Sequence, residues 1–245
     1  MTMHVHYDFQ GCTVLIVGAA SGIGRETALA CVAAGARVWA ADIDTAGLAS
    51  LPAGAALHTE TLDIADSQAC ARLVARIVQA DGRIDAAVLT SAIQKRSPIE
   101  ETPDATWQHH LDVNLSGVFY LVRALMPVMK DQRKGSIVAF TSGLATNGWP
   151  GAAAYAATKA GIVGLVKSAA HELRPYGVRI NAVSPGLVAT PVFLQSATPE
   201  ELAGYERSLG VSPPEAVVPT LMHLLSEGAS SISGNVVERR LIPAS

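Results

Sequence analysis

Three residues in the middle of the chain could move a proton on and off a substrate oxygen. Tyr155 and Lys159 stand four apart in Tyr155-Ala156-Ala157-Thr158-Lys159, so on a helix their side chains share a face. A free tyrosine has a pKa of about 10 and is a poor base at neutrality. An ammonium one turn away, together with a further positive charge from a bound group, would stabilise the phenolate and lower that value. Ser142 closes the run Phe140-Thr141-Ser142, and its hydroxyl could hold a substrate oxygen beside Tyr155. The Tyr–Lys spacing alone is equally that of an amphipathic helix with a snorkelling lysine. A Ser–Lys hydrolase is not indicated, because no Gly-x-Ser-x-Gly turn surrounds Ser142.

A second constellation could hold a pyrophosphate. Gly18-Ala19-Ala20-Ser21-Gly22-Ile23-Gly24 follows a β-rich run and opens a helical one. Its glycines let the backbone turn tightly and approach a phosphate, and the helix start points free N–H groups there. A plain strand–helix connection could read the same way, but an acid, Asp42, ends the next β-rich run. A carboxylate there can accept hydrogen bonds from both adenosine ribose hydroxyls and would repel a 2′-phosphate. With no arginine beside it, Asp42 predicts NAD in preference to NADP, unless it is only a solvated turn residue.

These groups need a scaffold, and the chain supplies an alternation. Strands are predicted at Cys12–Val17, Arg37–Ala41, Ala55–Leu62, Ala86–Thr90, Gly135–Thr141, Val178–Val183 and Val236–Glu238. Helices are predicted at Gly22–Ala34, Ser67–Gln79, Asp104–Met129 and Ala153–Arg174, with two short helical segments after the sixth strand. The middle strands are continuous apolar runs, as parallel strands covered on both faces should be. The expected fold is α/β: one doubly wound, Rossmann-like parallel sheet of about seven strands in a single domain, 1–245. Ligands on such sheets bind beyond the carboxyl ends of the strands, where both constellations fall.

Composition narrows the class. A net charge of −3 over 245 residues leaves no electrostatic footprint for nucleic acid or an anionic membrane. Hydrophobic residues make up 49% and charged residues 16%, which points to subunit contacts. Cys12, Cys31 and Cys70 are scattered and odd in number, so free thiols in a reducing cytoplasm are expected. The segment Met1–Gln10 lacks the apolar stretch of a signal peptide, and no run of about 20 uninterrupted apolar residues suggests a membrane span. No metal site is predicted: His4 and His6 lie in the N-terminal tail, and His109 and His110 are adjacent on a helix, so both cannot face one ion.

From Gly18 to roughly Thr190 the chain resembles the short-chain dehydrogenase/reductase family in its compact single-domain branch. The Gly-rich turn matches that family's T-G-x-x-x-G-x-G, with Val17 in place of the threonine. Asp63 falls where the family's adenine-contacting aspartate sits, and Asn114 in Val113-Asn114-Leu115-Ser116-Gly117 matches its catalytic asparagine. Ser142 precedes Tyr155 by the usual thirteen residues, and Tyr155 and Lys159 match Y-x-x-x-K. Arg179-Ile180-Asn181-Ala182-Val183-Ser184-Pro185-Gly186 and Thr190 match its cofactor-lining segment. Two stretches depart from the pattern. The family's N-N-A-G is Leu89-Thr90-Ser91-Ala92 here, and the acidic-Gly-Gly ending that helps relatives build a tetramer reads Glu238-Arg239-Arg240-Leu241.

The resemblance implies a cofactor wall of Gly18, Ser21, Gly22, Ile23, Gly24, Asp42, Asp63, Ile64, Ser91, Ala92, Tyr155, Lys159, Pro185, Gly186, Val188 and Thr190. It also implies that Tyr155 donates the proton, Ser142 polarises the oxygen, Lys159 binds the nicotinamide ribose, and Asn114 holds a relay water. Leu144, Trp149 and Phe193 are expected to line the substrate pocket, with the segment Pro191–Gly210 covering it. That pocket reads as mostly apolar and suits a small or cyclic alcohol or ketone. Lys95 and Arg96 are expected to be solvated, although near the phosphate of a carrier they would suit a 3-oxoacyl chain. The resemblance further implies a homo-oligomer, dimer or tetramer, packed through Asp104–Met129 and Ala153–Arg174. A dinucleotide-sensing protein without turnover is the reading from a different class, and the altered turn at Leu89–Ala92 is the feature that favours it.

Overall fold

The computed structural model describes residues 5–208 and 210–239; His4, Arg240 and Leu241 lie outside them. Seven parallel strands form one sheet in the order β3-β2-β1-β4-β5-β6-β7. They are β1 (Thr13–Val17), β2 (Arg37–Asp42), β3 (Leu57–Thr61), β4 (Ala86–Leu89), β5 (Gly135–Phe140), β6 (Val178–Ser184) and β7 (Val236–Glu238). The order reverses at β1, between β2 and β4, so the connections after β1 and β4 diverge to opposite sides and leave a crevice.

The apolar strand runs are buried on both faces. Leu15 and Val17 of β1 face one core with Trp39, Ala87 and Leu89, while Val14 and Ile16 face the other with Val38 and Val88. Helices α3 (Ser67–Asp81), α5 (Gly117–Gln132) and α7 (Ala153–Leu173) fill the first core. Helices α1 (Gly22–Ala33) and α10 (Val218–Leu225) fill the second. Cys70, Leu73, Val74 and Ile77 are the buried stripe of α3, as their spacing predicts, and Asp66 caps that helix through Gln68 N and Ala69 N at 2.8 and 3.0 Å. Short helices complete the list: α2 (Thr45–Ala49), α4 (Asp104–His110), α6 (Leu144–Asn147), α8 (Pro191–Ser196) and α9 (Pro199–Ser208). Among the described residues three α-helices, α8 to α10, follow β6 where two short helical segments were expected.

One long element differs from expectation. Asp104–Met129 is predicted as a continuous α-helix, but α4 passes into a π-turn over Leu111–Ser116 before α5 begins. A π-turn takes in an extra residue and shifts the phase of the helix, so the two halves bury different faces. The run Asp104–Gln132 is long and apolar enough to cross a bilayer by length and composition, with mean hydropathy 1.3. Here Leu121, Leu125 and Met129 of its second half lie in the sheet-facing core. Cys31 and Cys70 are buried, Cys12 is half-buried, and all three are free.

Candidate active site

The register of the sheet brings the predicted groups to one edge. Val17 pairs with Ala41 and with Leu89, and Phe140 pairs with Val183. Gly18, Asp42 and Thr90 therefore lie at one level, with Thr141 one residue and Pro185 two residues beyond it. Beyond them lies a cleft of about 870 Å³. Every residue expected at the cofactor or substrate lines this cleft, together with Ser142, Tyr155 and Lys159. Asn114 does not reach it.

The dinucleotide half is built around a turn that only glycines permit. Gly18 and Gly22 have φ of +89° and +53°. A Cβ on Gly24 would run into the carbonyl oxygen of Gly18 and stand 2.7 Å from Thr90 Oγ1. Ser21, at the start of α1, makes no side-chain cap, so the first-turn N–H groups of a twelve-residue helix face the cleft uncovered. The cradle fits a pyrophosphate. The altered turn after β4 supports it differently from the family pattern: the Thr90 hydroxyl donates to Val17 O at 2.9 Å and shares its proton with Gly18 O at 3.1 Å. A threonine after β4 thus ties the two turns together where the family has an asparagine.

Asp42 is fastened to the same turn. Its Oδ2 accepts from Ala20 N and its Oδ1 from Asp44 N, both at 3.0 Å, and each oxygen keeps a further lone pair. Asp63 is exposed, its Oδ1 accepting from Ala65 N at 2.9 Å. Ile64 is buried against Gly117, where a Cβ would stand 2.6 Å from Ile64 Cγ1.

At the centre, Ser142 and Tyr155 line the cleft together, and Leu144 N donates to Ser142 Oγ at 3.2 Å. Lys159 is buried; its Nζ donates to Phe140 O at 3.0 Å and stands 5.6 Å from the Tyr155 ring centre. Burial pushes the phenol up to about 12, with Ser142 opposing, and pushes the ammonium down to about 8. Burial of the phenol outweighs the Ser142 contribution, so the lowering of Tyr155 expected from sequence is not supplied by the chain's own residues. Asn114, fully buried in the π-turn, binds Ile93 through both ends of its amide, accepting from Ile93 N at 2.8 Å and donating to Ile93 O at 2.9 Å. It also donates to Thr158 Oγ1 at 3.3 Å. Its side chain braces the wall of the cleft.

The substrate half is walled by loops. Phe193 lies 6.0 Å from the Tyr205 ring, and Tyr205 lies 6.1 Å from Trp149, so three aromatics link α8, α9 and the segment before Tyr155. Arg207 is exposed and outside the cleft. The expectation of two solvated basic residues holds for Lys95, which is exposed, and fails for Arg96. Arg96 lines the cleft and pairs through Nη1 with both oxygens of Glu201, at 2.7 and 2.8 Å. Sequence reasoning missed Glu201, which is 105 positions away, and Arg239, which binds Pro185 O and Ala216 O at 2.8 Å each. Among the described residues no group of three or more His, Cys, Asp or Glu could hold a metal ion.

The family model described as "short chain dehydrogenase" matches residues 12–201. A 3-oxoacyl-[acyl-carrier-protein] reductase from Thermotoga maritima is 35% identical over 239 residues, covering 93% of this chain and 96% of that one. The crystal structure of levodione reductase superposes with a TM-score of 0.89 at 28% identity, over 95% of this chain and 97% of that one. A 3-ketoacyl-(acyl-carrier-protein) reductase from Brucella melitensis, complexed with NADH, has a TM-score of 0.89 at 26% identity, over 95% and 98% of the two chains.

Proposed function

This chain belongs to the short-chain dehydrogenase family, enzymes of CH–OH and C=O groups that use nicotinamide cofactors, and we propose that it interconverts a small or cyclic secondary alcohol and its ketone with NAD(H). One observation carries the reading: Ser142, Tyr155 and Lys159 line the same cleft as the glycine cradle, with Lys159 Nζ 5.6 Å from the Tyr155 ring centre. The nicotinamide, when bound, supplies or takes up the hydride. Gly18, Ser21, Gly22, Ile23 and Gly24 hold the pyrophosphate. Asp42 accepts from the ribose hydroxyls and excludes a 2′-phosphate, Asp63 and Ile64 flank the adenine, and Ser91, Ala92, Pro185, Gly186, Val188 and Thr190 complete the wall.

In the reducing direction Tyr155 gives its proton to the carbonyl oxygen. Its raised pKa keeps the phenol in the proton-bearing form that this step needs. Ser142 accepts from Leu144 N, so its own proton points away from that bond and stabilises the developing alkoxide. Lys159 commits one N–H to Phe140 O and keeps two for the nicotinamide ribose. Asn114 fixes the position of Ile93 and would hold the relay water. Leu144, Trp149 and Phe193 surround the substrate under the segment 191–210, in a chain that works as one domain.

The test is carbonyl reduction over a panel of ketones with NADH and NADPH. NADH is expected to be preferred. Tyr155→Phe should cut kcat by about 10³-fold or more while leaving the Kd for NADH within about threefold. A fully active Tyr155→Phe protein would remove the assignment, and a preference for NADPH would remove the reading of Asp42. The likeness to 3-oxoacyl-carrier reductases favours a second reading, separated by activity on a 3-oxoacyl thioester. We further propose residence in a reducing cytoplasm, consistent with the free thiols, and a homo-oligomer, dimer or tetramer. Trp107 and Phe119, 41% and 42% exposed on α4 and α5, supply apolar surface for a twin, which light scattering would detect.

A further inference from the structure

We propose that Arg96 and Glu201 form a latch that closes α8 and α9 over the substrate half of the cleft. The proposal rests on the dehydrogenase reading above and adds two positioning residues to it, which act through the cover. The cover needs a fastener because it has no core of its own. Neither α8 nor α9 contains a buried residue, and Val192 and Leu194 are 36% and 45% exposed. Hydrophobic burial therefore holds neither helix down. The chain is tied where the cover leaves and returns, by Ala189 N to Ser212 O and by Ser212 N to Leu187 O, both at 2.9 Å. Beyond that base the cover meets the opposite wall. Tyr205 lies 6.1 Å from Trp149 between ring centres, and Glu201 takes Arg96 Nη1 on both its oxygens, at 2.7 and 2.8 Å.

Each half of the pair is set firmly in its own element. Arg96 stands between two backbone anchors: Lys95 N donates to Nε2 of the buried His110 at 3.1 Å, and Ser97 N donates to Gly151 O at 2.9 Å. Glu201 is locked into the first turn of α9. Its Oε2 accepts from Thr198 N at 2.9 Å, while its own N donates to Thr198 Oγ1 at 3.2 Å, a reciprocal capping pair. The ion pair thus joins a fixed post on the loop after β4 to a rigid point on the cover. The two side chains are 21% and 26% exposed, so solvent screens them less than an open surface pair. Nη1 alone serves both oxygens, and Nε is buried with no hydrogen-bond partner among the described residues. A donor shut away unpaired costs free energy, so the closed pair holds below the strength of a full arginine fork. That suits a fastener that must let product out at each turnover.

Trypsin reads the latch without turnover. Arg207 is exposed on α9, and cleavage after it requires that helix to open. Arg96→Gln and Glu201→Gln should each release the fragment ending at Arg207 about tenfold faster than wild type, in keeping with loss of a charge-assisted hydrogen bond. Glutamine at 201 keeps the capping pair, so that variant reports the ion pair and not the helix start. Arg96→Lys should recover part of the protection, and the double variant should be cut no faster than either single one. Kinetics give a second readout. With NADH and cyclohexanone or pentan-2-one, KM should rise about tenfold in both glutamine variants, while kcat stays within about twofold or rises. Cleavage of both single variants at the wild-type rate overturns the latch, and so does additivity in the double variant. A lower kcat at constant KM overturns it as well, since the pair would then serve the chemical step. If neither ketone is reduced while the cleavage pattern holds, the latch stands, and the outcome counts against the dehydrogenase reading instead.

Discussion

The two ends of the sheet have been finished in opposite ways. At the amino end the polar groups are paired among themselves. Arg83 grips Asp85, whose Oδ2 takes Thr13 N at 2.9 Å, and Asp81 receives Arg37 together with the Trp39 indole N–H at 2.8 Å. The Gln132 amide spans the backbone N and O of Ile84 at 2.9 and 2.8 Å. At the carboxyl end, Ser21 makes no side-chain cap and a lysine is buried at the wall. Both ends belong to the same strands, so the difference is not one of packing. Unsatisfied donors gathered at one end are what a ligand can use, and satisfied ones at the other are what holds the chain in place.

Substitutions at the two ends should therefore separate binding from stability. The largest effect is expected from Gly24→Ala, where the new Cβ meets the Gly18 carbonyl. Its Kd for NADH should rise about 10²-fold or more, with a thermal midpoint little changed, because the overlap falls on a turn and not on the core. A fall in midpoint as severe as the loss of affinity would mean that the turn supports the fold, and the contrast would collapse.

The next effect comes from Lys159, whose ammonium burial holds at about 8 against an ordinary value of 10.5. Between those values the unfolded chain binds the proton more readily, so stability should rise with pH from about 8 to 10.5, by up to about 3 kcal/mol. Below about 8 both states are protonated and the penalty is constant. Urea unfolding at stepped pH, wild type minus Lys159→Met, isolates this group, and a flat difference would show that the lysine is not desolvated. The smallest effect belongs to the amino end. Asp85→Ala leaves Thr13 N unpaired and should lower stability by about 2 kcal/mol, with kcat and KM unchanged. Altered kinetics in that variant would blur the division between the two ends.

What could be read from the sequence was whatever depends on neighbours along the chain. Tyr155 and Lys159 are a turn apart, the glycines of 18–24 are contiguous, and Asp42 ends its own strand, so each carries its geometry locally. The apolar runs of β1, β4, β5 and β6 announced two-sided burial and hence the parallel sheet. The π-turn was hidden because one added residue leaves the apolar pattern of a helix nearly intact while rotating its phase. Asn114 could be placed but its partners could not, since Ile93 lies on another loop. The pairing of Arg96 with Glu201 had no local signal at all: two charges on separate loops meet only when the sheet brings those loops together.

Arg239 binds Pro185 O, at the entrance to the segment that covers the cleft, and Ala216 O, beyond its exit. Its backbone N also donates to Ser184 O at 2.9 Å. One side chain is thus mortised into the chain on either side of α8 and α9, so a change that loosens it is expected to slacken the Pro185 end and the Ala216 end together.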